Sequence, residues 1–356
     1  MWLKAKLVRR DGDLKQSAAL MAEVVKSLPQ ADEDDTFNDY GLASFNTSAY
    51  ADLGTIQVSR GEFIKALDAF LVSDETWDDA SFVAERVLTT KELLDYTAQH
   101  YPPPSTVDED KLTSKESDDR QFARKFRSMV GRRLMRESRY EDAKAYLDPK
   151  LLSFLERYIA SLKVGNDEKA GKMERARALF SAAWVARYHG MELMGTEGGP
   201  DSASSGGDFT SPNTAMERLT GRKQSSGSTD EDELQYFKPG PATFAIPVSA
   251  VEKKRLAATK LAFEKRYHYR HIAAGLAWKA AALMPDQSEE TADVLNTAGN
   301  WLKGLYPKEA DRFVQAIEKR CYKTKTGIEI MEKHWFVGVG GPWYDEELAK
   351  DPPDEN

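Results

Sequence analysis

Apolar and small residues recur along this chain at helical rather than strand spacing. Over residues 50–70, Tyr50, Leu53, Gly54, Gly61, Phe63, Ala66 and Phe70 stand at intervals that two helices and a turn explain. Gly54 leaves room on the first helix for the second to cross closely, and Ala66 does the same on the second. Gly61 supplies the turn, while Phe63 and Phe70 share a face that fills the space between neighbouring hairpins. The twelve-residue interval from Gly54 to Ala66 returns from Gly131 to Ala143, with Tyr140 in place of Phe63 and Leu147 in place of Phe70. Gly12, Leu14, Ser17, Met21 and Pro29 keep the order of turn, plug, small residue, plug and terminating proline. Ala176 with Phe180, Ala273 with Pro285, and residues 291–317 around Ala298 and Ala310 extend the series to five or six hairpins.

The aromatic, Leu-Gly, then Ala and aromatic order of Tyr50, Leu53, Gly54, Ala66 and Phe70 resembles the tetratricopeptide family, with Gln57 standing where that family prefers tyrosine. The resemblance implies an all-α fold, an α-solenoid of antiparallel helix hairpins, and a concave groove that holds a protein or peptide without chemistry of its own. Spacing between copies is irregular. Gly12 and Gly61 lie 49 residues apart, where a regular array of this family gives about 34, so insertions are expected near residues 32–40 and 102–119.

The pattern divides the chain into helical repeats over 1–194, a Gly- and Ser-rich linker or disordered insertion over 195–243, helical repeats over 244–336, and a Gly-rich, acidic tail over 337–356. The 195–243 stretch is either an insertion within one array or a hinge between two. Residues 251–284 form one long helix or two broken near Tyr267, His268 and Tyr269. Ser288, followed by Glu289 and Glu290, is a strong helix start, its hydroxyl being placed to accept an amide hydrogen bond.

With 50 Lys and Arg against 58 Asp and Glu, the net charge of −8 argues against general attraction to nucleic acid or anionic lipid. No run reaches the roughly 18 apolar residues of a membrane span. Residues 1–11 are charged and lack the apolar middle of a signal peptide, which points to a cytoplasmic protein if the chain is complete. The helical pattern already runs at residue 1, as in a chain cut within its repeats, and in that case export stays open.

Candidate chemistry is sparse. Cys321 is the single cysteine, so a disulfide within the chain is excluded; beside Arg320 its thiol is either activated or, more commonly for such a residue, buried. His268 and His271 share a helix face with Glu264 nearby, which is short of a metal-ligand motif. Nucleotide-cradling and nucleophile-elbow motifs are absent, and no cofactor is expected. The aromatics Trp184, Tyr188, Trp278, Trp301, Phe313, Trp335 and Phe336 mostly fall within helical periodicity and are expected in the core between repeats. Trp343 and Tyr344, beyond the last hairpin, are expected to cap its open end.

One charge feature stands out. Lys125, Ser128, Arg132 and Arg136 follow spacings of three, four and four, forming a stripe on the helix that carries Gly131. The corresponding stripe in tetratricopeptide proteins lines the groove, so these four residues are the candidate site for an acidic peptide, with a solvated helix face as the plain alternative. The leading function is a non-catalytic scaffold for an unidentified protein or peptide. Its rivals are the helical-repeat part of a larger enzyme or an envelope or transport assembly, and RNA binding, which the net charge disfavours.

Overall fold

The computed structural model describes residues 1–28, 39–72, 76–104, 112–196, 203, 248–259 and 268–338, with the side chains of 39–45 and of 268 left aside. Among the described residues the chain is all-helical, with sixteen α-helices and no strand. Most of the 195–243 linker, the 260–267 junction, the 102–119 insertion in part, Pro29 and the proposed cap of Trp343 and Tyr344 lie outside those residues.

The chain forms two compact units, each built from two stretches: Met1–Ala123 with Glu197–Glu264, and Arg124–Thr196 with Lys265–Asn356. In the first, α1 (Trp2–Arg10) packs on α2 (Leu14–Lys26), α2 on α3 (Asp39–Arg60), and α3 on α4 (Phe63–Phe70). α5 (Trp77–Phe82), a single π turn (Val83–Val87) and α6 (Thr90–His100) follow. α7 (Ser114–Arg136) carries the division between the units along its length. The second unit continues with α8 (Tyr140–Ala143), α9 (Leu152–Asn166), α10 (Lys172–Tyr188) and α11 (Gly190–Met194). α12 (Ala250–Ala258) belongs to the first unit, and α13 (His268–Leu283), α14 (Glu289–Lys303), α15 (Pro307–Arg320) and α16 (Lys325–Lys333) to the second.

One local design occurs three times. A small residue on the first helix is followed seven residues later by a residue with left-handed backbone, at twelve by a second small residue, and at sixteen by a large apolar one. The copies are Ala5, Gly12, Ser17 and Met21; Gly54, Gly61, Ala66 and Phe70; and Gly131, Ser138, Ala143 and Leu147. Gly12, Gly61 and Ser138 have φ of 92°, 77° and 60°. Each copy closes its first helix with the same pair of backbone bonds, as where Gly61 N–H donates to Val58 and Glu62 N–H to Gln57. In the two copies that begin with glycine the large residue then lies against it. A Cβ on Gly54 would sit 2.5 Å from the Phe70 ring, and one on Gly131 would sit 2.8 Å from the Leu147 side chain. In the first copy the buried Ser17 hydroxyl donates to the Ala5 carbonyl at 2.8 Å.

The α9/α10 hairpin keeps the principle but shifts it: Gly165 faces Leu179, leaving Phe180 to stack on Trp301 at 6.1 Å. The third copy is also cut short, since α8 is one turn long. Pro149 confines Asp148 to extended backbone, and the chain leaves the helix before it.

Polar ties fasten the first unit across long sequence separations. Asp52 on α3 accepts from Trp2 at 2.8 Å and pairs with Lys6 at 3.0 Å and Arg9 at 3.1 Å, one face of α1. Arg255 on α12 donates to the Val87 carbonyl and to Glu92, and lies 4.7 Å over the Phe63 ring. Glu92 also accepts from the Thr89 N–H at 2.8 Å in a capping box at the start of α6. The Arg255 bond, opposed by burial and helped by the bonds from Thr89, brings the Glu92 pKa down to about 2.

Gly54→Ala should lower stability by about 1–3 kcal/mol through overpacking against Phe70. Ser138→Gly should raise it by up to about 1 kcal/mol by removing a left-handed non-glycine. Urea midpoints measure both, and two unchanged midpoints would remove the repeated hairpin as a source of stability. The unfolded chain takes up the Glu92 proton near 4.5 and the folded chain only near 2, so the stability tied to it is full above 4.5 and lost as pH falls towards 2. The difference in midpoint between wild type and Arg255→Met should therefore be largest near neutrality and close over that window. A difference independent of pH would show that Arg255 does not hold Glu92 ionised.

Candidate functional site

The basic stripe does not form a solvated face. Arg132 is 4% exposed, and Lys125, Ser128 and Arg136 are half-buried. Arg136 donates to the Met194 carbonyl at the end of α11, the buried Arg127 donates to the Ala145 carbonyl, and Arg133 pairs with Glu137 at 3.0 Å. Arginine suits this work, because its fixed fork of donors satisfies carbonyls at helix ends while its stem packs. Charge reversal at Arg132 would bury a carboxylate rather than repel a ligand.

Other candidate groups are placed as follows. His271 is buried with Nδ1 3.2 Å from Glu309, while Glu264 and the His268 side chain lie outside the described residues. Cys321 is fully buried; burial pushes its thiol pKa up and outweighs the opposing pull of Arg320. Arg320 itself is engaged by Asp286 and by the Ala281 and Met284 carbonyls. Among the described residues no group of three or more His, Cys, Asp or Glu is arranged to hold a metal, and no helix is long and apolar enough to cross a membrane.

The side chains that act together lie on α14. Its core face buries Val294, Leu295, Ala298, Trp301 and Leu302. Glu289, Asp293, Asn296, Asn300 and Lys303 follow at alternating intervals of four and three, which places them in one row along the helix. From Glu289 to Asn300 the row meets the chain's return after α15. Glu289 accepts from the N–H groups of Lys325 at 2.9 Å and Thr326 at 2.8 Å, capping α16, and Asp293 accepts from the Thr326 hydroxyl at 2.8 Å. Burial raises the Glu289 carboxyl, but the Thr326 and Lys325 bonds outweigh it and leave the pKa below its usual value. Asp293, more buried and beside Glu289 and Glu290, is raised. The Ser288 hydroxyl makes no capping bond at the start of α14; its first turn instead carries Glu289 and Glu290, the latter paired with Arg177 at 2.8 Å.

Farther along the row, a non-helical segment is held by its backbone. Asn296, 1% exposed, accepts from the Val337 N–H at 3.1 Å and donates to the carbonyls of Val337 at 3.4 Å and Gly338 at 2.8 Å. Asn300 donates to the Val337 carbonyl at 3.0 Å, and its own carbonyl accepts from Lys303 at 2.6 Å. One amide meets both the N–H and the C=O of a single residue when these point to the same side, as in extended backbone. Phe336 lies over Gly299, where any Cβ would overlap its ring. Trp335 and Phe336 are thus outside a helix, contrary to their place in the helical periodicity: α16 ends at Lys333 and His334 takes a left-handed φ of 50°. Phe336 is buried and Trp335 is 37% exposed.

This geometry meets the main chain of residues 337 and 338 and the Phe336 ring. No family model, curated protein or solved structure matches this chain. The site therefore rests on its own residues. Sequence reasoning passed over Asn296, Gly299, Asn300 and Lys303, although a regular polar row with an embedded glycine on an otherwise apolar helix was visible.

Asn296→Ala should speed hydrogen exchange at the Val337 amide by about ten-fold, the scale of a lost hydrogen bond, without changing exchange along α9 and α10. An unchanged Val337 rate would show that Asn296 does not hold the segment.

Proposed function

We propose that this chain is a tetratricopeptide-like helical-repeat scaffold, an α-solenoid of antiparallel hairpins that holds protein segments and performs no reaction itself. The three copies of the small, left-handed, small, large register support the repeat assignment. The observation that carries the function is the pairing of Asn296 and Asn300 with the backbone of Val337 and Gly338, because a helix face that meets main-chain groups suits an extended peptide, with side-chain preference left to the space over Gly299. We place the binding surface on α14 rather than on the row from Lys125 to Arg136, since Arg132 is buried and Arg136 is engaged by Met194.

Selection of short peptides displayed on phage against the full chain tests the scaffold. The expected result is a set of peptides with a shared pattern that bind the folded chain and are displaced by one another. Selection that returns no saturable peptide binder would overturn the proposal.

A further inference from the structure

The segment that α14 holds has the features of a ligand rather than of a helix in the array. It is non-helical, its backbone is read by side-chain amides, and its one deeply placed side chain, Phe336, fills a space that exists because residue 299 has no Cβ. The flanking groups contribute little to the core: Trp335 stands at 37% exposure with its ring edge-on to Phe336 at 5.1 Å, Val337 is half-buried, and Gly338 is exposed. Four residues of α14 thus form a complete subsite. Gly299 admits an aromatic ring, Asn296 pairs the following residue, Asn300 takes that residue's carbonyl, and Lys303 orients Asn300.

Resting on the scaffold proposal, we infer that the α14 face is a binding site for an extended peptide with a large aromatic residue immediately before the residue clamped by Asn296, and that the chain's own Phe336, Val337 and Gly338 are its resident competitor. An incoming peptide of this pattern repeats each bond that the resident segment makes, so exchange is opposed by release of that segment and by the ordering of the peptide rather than by lost contacts. The occupied fraction sets the regulation: apparent affinity for an outside peptide falls in proportion to the fraction of sites left open.

The probe is a fluorescently labelled synthetic peptide with the sequence of residues 333–338, beside a control carrying Ala in place of its Phe. Both are titrated into the full chain as wild type, Phe336→Ala, and Phe336→Ala combined with Asn296→Ala. The peptide should bind Phe336→Ala at least about ten-fold more tightly than wild type, as expected for a site closed at least nine-tenths of the time. Binding should be lost in the double variant and with the control peptide. Val337→Pro, which removes the N–H that Asn296 receives and leaves the Phe336 side chain in place, should also tighten binding, and it serves if Phe336→Ala melts early. Equal affinity for wild type and the opened variants, or no binding to either folded variant, would overturn the inference and make the segment a fixed structural cap. Phage-selected peptides that bind independently of Asn296 would leave the scaffold standing while removing this site.

Discussion

The close approach of a small residue on one helix to a large apolar side chain on its partner is the constraint on which the hairpins depend. Gly54 under Phe70 and Gly165 under Leu179 bring neighbouring helices within a side chain's thickness, and Gly131 takes Leu147 from the bend after α8 in the same way. Such pairs fix which residues meet and therefore the register of each hairpin, because a dense interior transmits a methyl group's displacement to its neighbours. In the copies at Gly54 and Gly131, the left-handed residue seven positions after the glycine belongs to the same device: it ends the first helix at the length that brings the sixteenth residue back over the gap.

The same device is used differently at the C-terminal end of the described chain. Gly190 admits Tyr269 on α13, which is helix against helix, but Gly299 admits Phe336 from a segment that is not helical. Where no second helix supplies its own backbone bonds, the segment's N–H and C=O groups must be met by side chains, since polar backbone taken from water without a partner is costly. Asn296 and Asn300 meet them. This explains why α14 keeps a buried asparagine within an apolar helix.

Charged groups in both units act mainly as fasteners. Arg255 joins α12 to the end of the π turn and the start of α6, and Asp52 gathers three side chains of α1. Arg127, Arg136 and Arg320 each donate to backbone carbonyls where a helix or turn ends. A cluster of arginines in sequence is thus distributed among separate structural partners.

The sequence by itself determined the helical class and the paired small and large positions near Gly54 and Gly131, because these follow from local periodicity and side-chain volume. It also placed the turns at Gly12 and Gly61, which need left-handed backbone. Ser138 in the equivalent turn escaped notice, since a serine carries no such signal. Only the tertiary structure decided the fate of the basic stripe, because spacing puts Arg132 and Arg136 on one side of a helix without saying whether solvent or α11 covers it. It alone placed Phe336 on Gly299 and Val337 on Asn296, contacts about forty residues apart that local patterning does not encode. Periodicity reports which residues share a face; what lies against that face depends on where the rest of the chain returns.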